Sequence, residues 1–67
     1  MEELRAKVEE KFNELLKSYE DEIERIREDN SLRPKQQIDI EQRIRHDIFC
    51  TRRSMSVVMS VFDEFNK

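Results

Sequence analysis

The chain contains no glycine, and its single proline, Pro34, stands at the middle of its 67 residues. Average usage would give a chain of this size about five glycines. Glycine and proline interrupt regular structure more strongly than any other residues, so each half is free to run as one element. Both halves are also periodic. In the first, apolar residues fall at Met1, Leu4, Val8, Phe12, Leu15, Tyr19, Ile23 and Ile26, with Leu16 at the edge of the stripe. These steps of three and four belong to an amphipathic helix, nearer an 11-residue repeat than a strict heptad. In the second half Ile40, Ile44, Ile48, Thr51, Met55, Val58, Phe62 and Phe65 keep a heptad from Ile44 onward.

The expected fold class is all-α: a two-helix antiparallel hairpin forming one domain over residues 1–67, with helices over about 2–29 and 34–66 and a turn at 30–33. A single helix kinked at Pro34 is the competing reading, disfavoured because the residue before a proline is biased away from helical geometry. Asn30 is expected in the left-handed position that often ends a helix. Ser31 is expected to cap the second helix, with Pro34 in its first turn and Leu32 folded back over the end. Glu2, Glu3 and Glu9 sit near the positive end of the first helix dipole. Glu3–Lys7, Asp21–Arg25, Asp39–Arg43 and Glu41–Arg45 have the spacing of supportive i,i+4 pairs. Helices of equal length would set Phe62 against Met1 and Leu4, Met55 against Val8 and Phe12, and Ile40 against Ile23.

Size makes a partner the next question. Below roughly 70–80 residues a single core rarely supplies more than about 3–5 kcal/mol, and small folds add disulfides, metals or association. One cysteine forms no internal disulfide, and one histidine with one cysteine is a poor metal set. No metal or cofactor is therefore expected, and a partner remains. Seven of the eleven residues from Met55 to Phe65 are apolar. Val57 and Val61 lie outside the main stripe, on a flank that Cys50 and Ser54 continue. Cys50, Ser54, Val57, Met59, Val61 and Phe65 are thus the expected partner-binding surface. Its occupant is either a second copy, giving a homodimer or higher oligomer built as a four-helix bundle, or a groove on another protein.

Phe49 stands away from the core stripe, and Arg45, His46, Arg52 and Arg53 surround it on the helix. An aromatic ringed by cations suits a protein contact, where arginine and aromatic residues dominate. It also suits RNA or DNA, where bases stack on aromatics and arginine meets phosphate. A third reading packs Phe49 and Ile38 in a second helix–helix interface.

Charge narrows the field only modestly. The formal net charge is −3, from −5 over residues 1–30, +3 over 31–53 and −1 over 54–67, so the acidic arm folds against the basic one. No apolar run approaches the ~20 residues of a membrane span, and an acidic N-terminus does not resemble a signal peptide. A single free thiol fits a reducing compartment, so the expected location is the cytoplasm.

In size and layout the chain resembles the ROP-type plasmid regulators, hairpins that dimerise into four-helix bundles and bind RNA; the resemblance covers architecture, with no residue motif. Arg45-His46-Asp47-Ile48 is similar to the phosphoacceptor segment of some sensor histidine kinases, which would imply a phosphoryl group on His46 with Asp47 as base. No catalytic, metal-binding or phosphate-binding motif rises above background elsewhere, and the chain is read as not an enzyme. The expectation is a small interaction or regulatory protein, an adaptor or inhibitor that binds another protein through helix faces and also self-associates. The alternative is a nucleic-acid-binding hairpin using Arg45, His46, Phe49, Arg52 and Arg53, and a third is a purely structural assembly subunit.

Overall fold

The computed structural model describes residues 2–65, and over these the chain is two α-helices packed against each other. Helix α1 spans Glu2–Glu28 and α2 spans Pro34–Phe65. No strand occurs among the described residues. The places expected for Met1 and Asn66 lie outside them.

The turn differs in detail from the expectation. Among the described residues no side-chain-bearing residue has a positive φ, so Asn30 does not take the left-handed position. The reason lies one turn into α2. The Gln37 side-chain amide donates to the carbonyls of Ile26 (3.2 Å) and Asp29 (3.0 Å), satisfying the end of α1 from across the hairpin. A left-handed cap is then unnecessary. Nor does Ser31 cap α2. Its N–H and hydroxyl both donate to Asp29 Oδ1, at 2.9 and 2.6 Å, which closes an Asx-type turn. Helix α2 opens instead on the Arg33 N–H, which donates to Gln36 Oε1 at 3.1 Å. This is the backward half of a capping box, with Pro34 at the first helical position where its missing N–H costs nothing. Leu32 is half-buried, as its fold-back requires.

Two ion pairs between the helices set the register. Arg27 Nε meets Glu41 at 2.9 Å and Arg5 Nε meets Asp63 at 3.2 Å. The residue numbers of each pair add to 68, so any two residues with that sum lie at one level. Ile23 is thus level with Arg45, between Ile44 and Ile48, rather than with Ile40, which is level with Glu28. Ile23 and Ile44 are buried (8% and 5% exposed), as is Met59 (9%).

The side of α1 that meets α2 is Arg5, Glu9, Phe12, Leu16, Tyr19, Ile23 and Ile26, all buried or half-buried. Their steps alternate four and three, a heptad, as do those of Gln37, Glu41, Ile44, Ile48, Thr51, Met55, Val58 and Phe62 on α2. Two helices that wind on each other hold a period near 3.5, whereas the apolar stripe of α1 runs nearer 3.67. Near the turn the stripe and the seam coincide. Toward the open end they separate: Arg5 and Glu9 occupy the seam, and Leu4 and Leu15 are left 51% and 42% exposed.

The product is a narrow plate, with principal extents of 51 × 16 × 7 Å and a radius of gyration of 15.6 Å, against about 11 Å for a compact chain of this length. No helix among the described residues is long and apolar enough to cross a membrane.

Candidate functional site: a plate with two unlike faces

Every seam residue has a neighbour before it in sequence and one after it, lying roughly 100° to either side on the helix. The two helices of an antiparallel hairpin are related by a two-fold axis normal to the plate. That operation leaves each face in place, so the "before" positions of both helices share one face and the "after" positions share the other.

The first face carries Leu4, Val8, Lys11 and Leu15 from α1, and Cys50, Ser54, Val57 and Val61 from α2. One shallow hollow is lined by Lys7, Val8, Lys11, Phe12 and Leu15, and a second by Cys50, Arg53, Ser54, Val57 and Val58. Val57 is 61% exposed, Val61 45% and Phe65 72%. Of the expected partner surface, Cys50, Ser54, Val57, Val61 and Phe65 are therefore solvent-facing within one hairpin. Phe65 does not serve the hairpin core. Met59 is the correction: it follows Val58 and so turns to the other side, where it is buried at the level of Glu9. Leu4 and Leu15 belong to this apolar face but were assigned to the α1 core stripe. The signal for them was present in the drift of that stripe away from a heptad. Along the turn half the same face becomes mostly polar, with Glu22, Arg25, Arg43 and Asp47 beside the half-buried Ile40.

On the second face a groove runs between the helices, lined by Glu20, Glu24 and Arg27 on one wall and Arg45, Phe49 and Arg52 on the other, with Ile23 and Ile48 beneath. Phe49 is 64% exposed, and Ile38 (54%) lies on the same face one groove-length toward the turn. The expected cluster is only partly gathered. Arg45, Phe49 and Arg52 line the groove, whereas His46 lies outside it and Arg53 lines the second hollow of the apolar face. Sequence spacing alone left out the acidic wall, because Glu20 and Glu24 come from the other helix. Arg27 and Arg45 both bind Glu41 Oε1, Arg45 at 3.2 Å. The Arg27 hydrogen bond, with a further one from Arg45, holds the Glu41 carboxyl below its ordinary range. Arg52 makes no ion pair within the described residues.

Of the expected helix pairs, Glu41–Arg45 forms and Asp39–Arg43 does not among the described residues; α1 forms Arg5–Glu9 and Lys11–Glu14 in place of Glu3–Lys7 and Asp21–Arg25. The Cys50 thiol lies 3.9 Å from the His46 ring nitrogens, one turn away. Among the described residues no three His, Cys, Asp or Glu side chains gather as metal ligands do. No protein-family model, curated protein or solved structure matches the chain.

Proposed function

We propose that this chain is a non-catalytic interaction protein, an adaptor or inhibitor type of module that acts by laying helix faces against protein surfaces. The observation that carries this reading is the apolar face. Four large apolar side chains, Leu4, Leu15, Val57 and Val61, are 42–61% exposed, and both helices bring theirs to the same face. Contiguous exposed apolar surface of this kind marks an interaction site. A hairpin with three buried residues among those described also has little core of its own, and burying this face adds to it. Two hairpins joined through it make a four-helix bundle, which leaves the Phe49 groove outward for another protein.

Light scattering on a sizing column, over a concentration series with reducing agent present, tests the first half of the reading. A stable mass of two chains or more supports it. A monomer at all concentrations removes self-association and makes the apolar face the docking surface for a different protein.

A second reading, nucleic-acid binding through Arg45, His46, Phe49, Arg52 and Arg53, draws on the exposure of Phe49 beside Arg45 and Arg52 in the groove. Glu20 and Glu24 in the facing wall oppose a phosphate backbone, which favours a protein ligand with both charges. Salt separates the two: binding to nucleic acid falls steeply as salt rises, and docking of apolar surface does not.

A further inference from the structure

The two helices contribute unlike side chains to the apolar face, and they do so at matched levels. On α1 the flank is large: Leu4, Val8 and Leu15. On α2 it is small or branched: Val61, Val57, Ser54 and Cys50. By the register of the two cross-helix ion pairs, Val61 is level with Lys7, Val57 with Lys11, and Ser54 with Glu14. A second copy turned about a two-fold axis parallel to the helices would set its α1 over this α2 at those same levels. Leu4 and Val8 of one copy then meet Val61 of the other, Val8 and Leu15 meet Val57, and Leu15 enters the gap above Ser54 and Cys50. Large side chains facing small ones let layers interdigitate. Every neighbouring helix in that arrangement is antiparallel.

The alternative two-fold, perpendicular to the helices, stacks the copies head to tail. It would place the exposed valines 57 and 61 of α2 over the Arg43–Asp47 half of the partner's α2, leaving apolar surface against charge. In the parallel arrangement the polar halves meet each other instead. By the same register Arg25 is level with Arg43 of the second copy and Glu22 lies within one residue of the level of its Asp47, so the polar half adds no ion pair and the apolar half alone carries the orientation. The whole face is used, and a side of 51 × 16 Å offers roughly 800 Å² per partner, the amount a standard interface buries.

We infer that the occupant of the apolar face is a second copy of this chain with its turn at the same end, α1 of each copy lying on α2 of the other. The inference rests on the self-association proposed above and adds its geometry. One consequence is that the two Phe49 grooves lie on opposite outer sides of the bundle, so each assembly offers two equivalent sites.

The test is a distance between the turns. A spin label is attached at Asn30→Cys, an exposed position with no side-chain hydrogen bond within the described residues, in the Cys50→Ser background. Mass and helix content are measured on the same sample. Turns at the same end give a label separation of about 10–20 Å, from interaxial distances of about 8–10 Å. Head-to-tail stacking gives about 45 Å, and overlap of the open halves alone about 60 Å, at about 1.5 Å per residue. A dimer with the longer distances overturns the orientation and keeps the self-association. A monomeric but helical sample overturns both. Unlabelled Val57→Asp, read by mass alone, is expected to lose the dimer while Arg52→Glu, on the other face, keeps it; the reverse pattern overturns the choice of face.

Discussion

Gln37 is the residue on which the hairpin most visibly turns. One side-chain amide satisfies two carbonyls at the end of α1 while its own backbone N–H donates to Arg33 at 3.0 Å, starting α2. A net hydrogen bond contributes about 0.5–1.5 kcal/mol. Gln37→Ala is therefore expected to cost about 1–2 kcal/mol, seen as a thermal midpoint lower by roughly 4–8 °C per kcal/mol. An unchanged melt would mean that water caps α1 equally well. Two carboxyls beside it make the fold sensitive to acid. Ser31 holds Asp29 below its ordinary value through side-chain and backbone hydrogen bonds, and Arg27 does the same for Glu41. A carboxyl with a depressed folded value contributes stability that is present above its unfolded value and lost as pH falls through the folded one. For these two groups the loss begins below the ordinary values of 3.8 and 4.5, so neither contributes a change between pH 7 and 5. Helical melts of Glu41→Gln are expected to show a shallower acid limb below pH 4.5 than the parent, and parallel limbs would remove Glu41 from the account.

At the scale of the helices, the seam is well made at the turn end and poorly made at the open end. Arg5 and Glu9 occupy heptad positions there, bonded to each other and, for Arg5, to Asp63. Exposed ion pairs of this kind contribute about 0–1 kcal/mol, whereas full burial of a leucine contributes about 1.5–3 kcal/mol. Replacing both, Arg5→Leu with Glu9→Leu, is expected to raise hairpin stability by about 1 kcal/mol, since these sites are only half-buried. Ile23→Ala, by contrast, should cost about 2–5 kcal/mol. This unevenness explains what the sequence could and could not disclose. Two helices with a turn near Pro34 were legible, because nothing else in the chain interrupts a period of three and four. The seam of α1 was not, since apolar letters report where grease lies and not which part of it a neighbouring helix reaches. The drift of Leu4, Val8 and Leu15 off the heptad is visible only once the partner's winding is known. Met59 was misplaced for a related reason: it sits in a run of apolar residues, and only the side on which α1 lies separates it from Val57 and Val61. The groove walls at Glu20 and Glu24 needed the cross-helix register, which two ion pairs supply and composition does not.

For the molecule as a whole, the division into one apolar and one mixed-charge face predicts how association responds to solvent. Contacts made by Leu4, Leu15, Val57 and Val61 lose no strength as counterions screen charge, because the driving force is removal of apolar surface from water. Contacts made by Glu20, Glu24, Arg45 and Arg52 lose most of theirs once the screening length falls from about 10 Å at 0.1 M salt to about 3 Å at 1 M. Self-association measured by sedimentation between 0.1 and 1 M sodium chloride is thus expected to hold or strengthen if the apolar face is the seam between copies. Capture of any protein in the Phe49 groove should weaken over the same range while the bundle persists. A dimer that dissociates as salt rises would place the joint on the charged face, and Leu4, Leu15, Val57 and Val61 would then need a different cover. The same series on Leu15→Ala sharpens the distinction. Leu15 lies outside the hairpin seam, so hairpin stability should stay within about 0.5 kcal/mol of the parent. The dimer should nevertheless form only at higher protein concentration, because the gap above Ser54 and Cys50 is no longer filled.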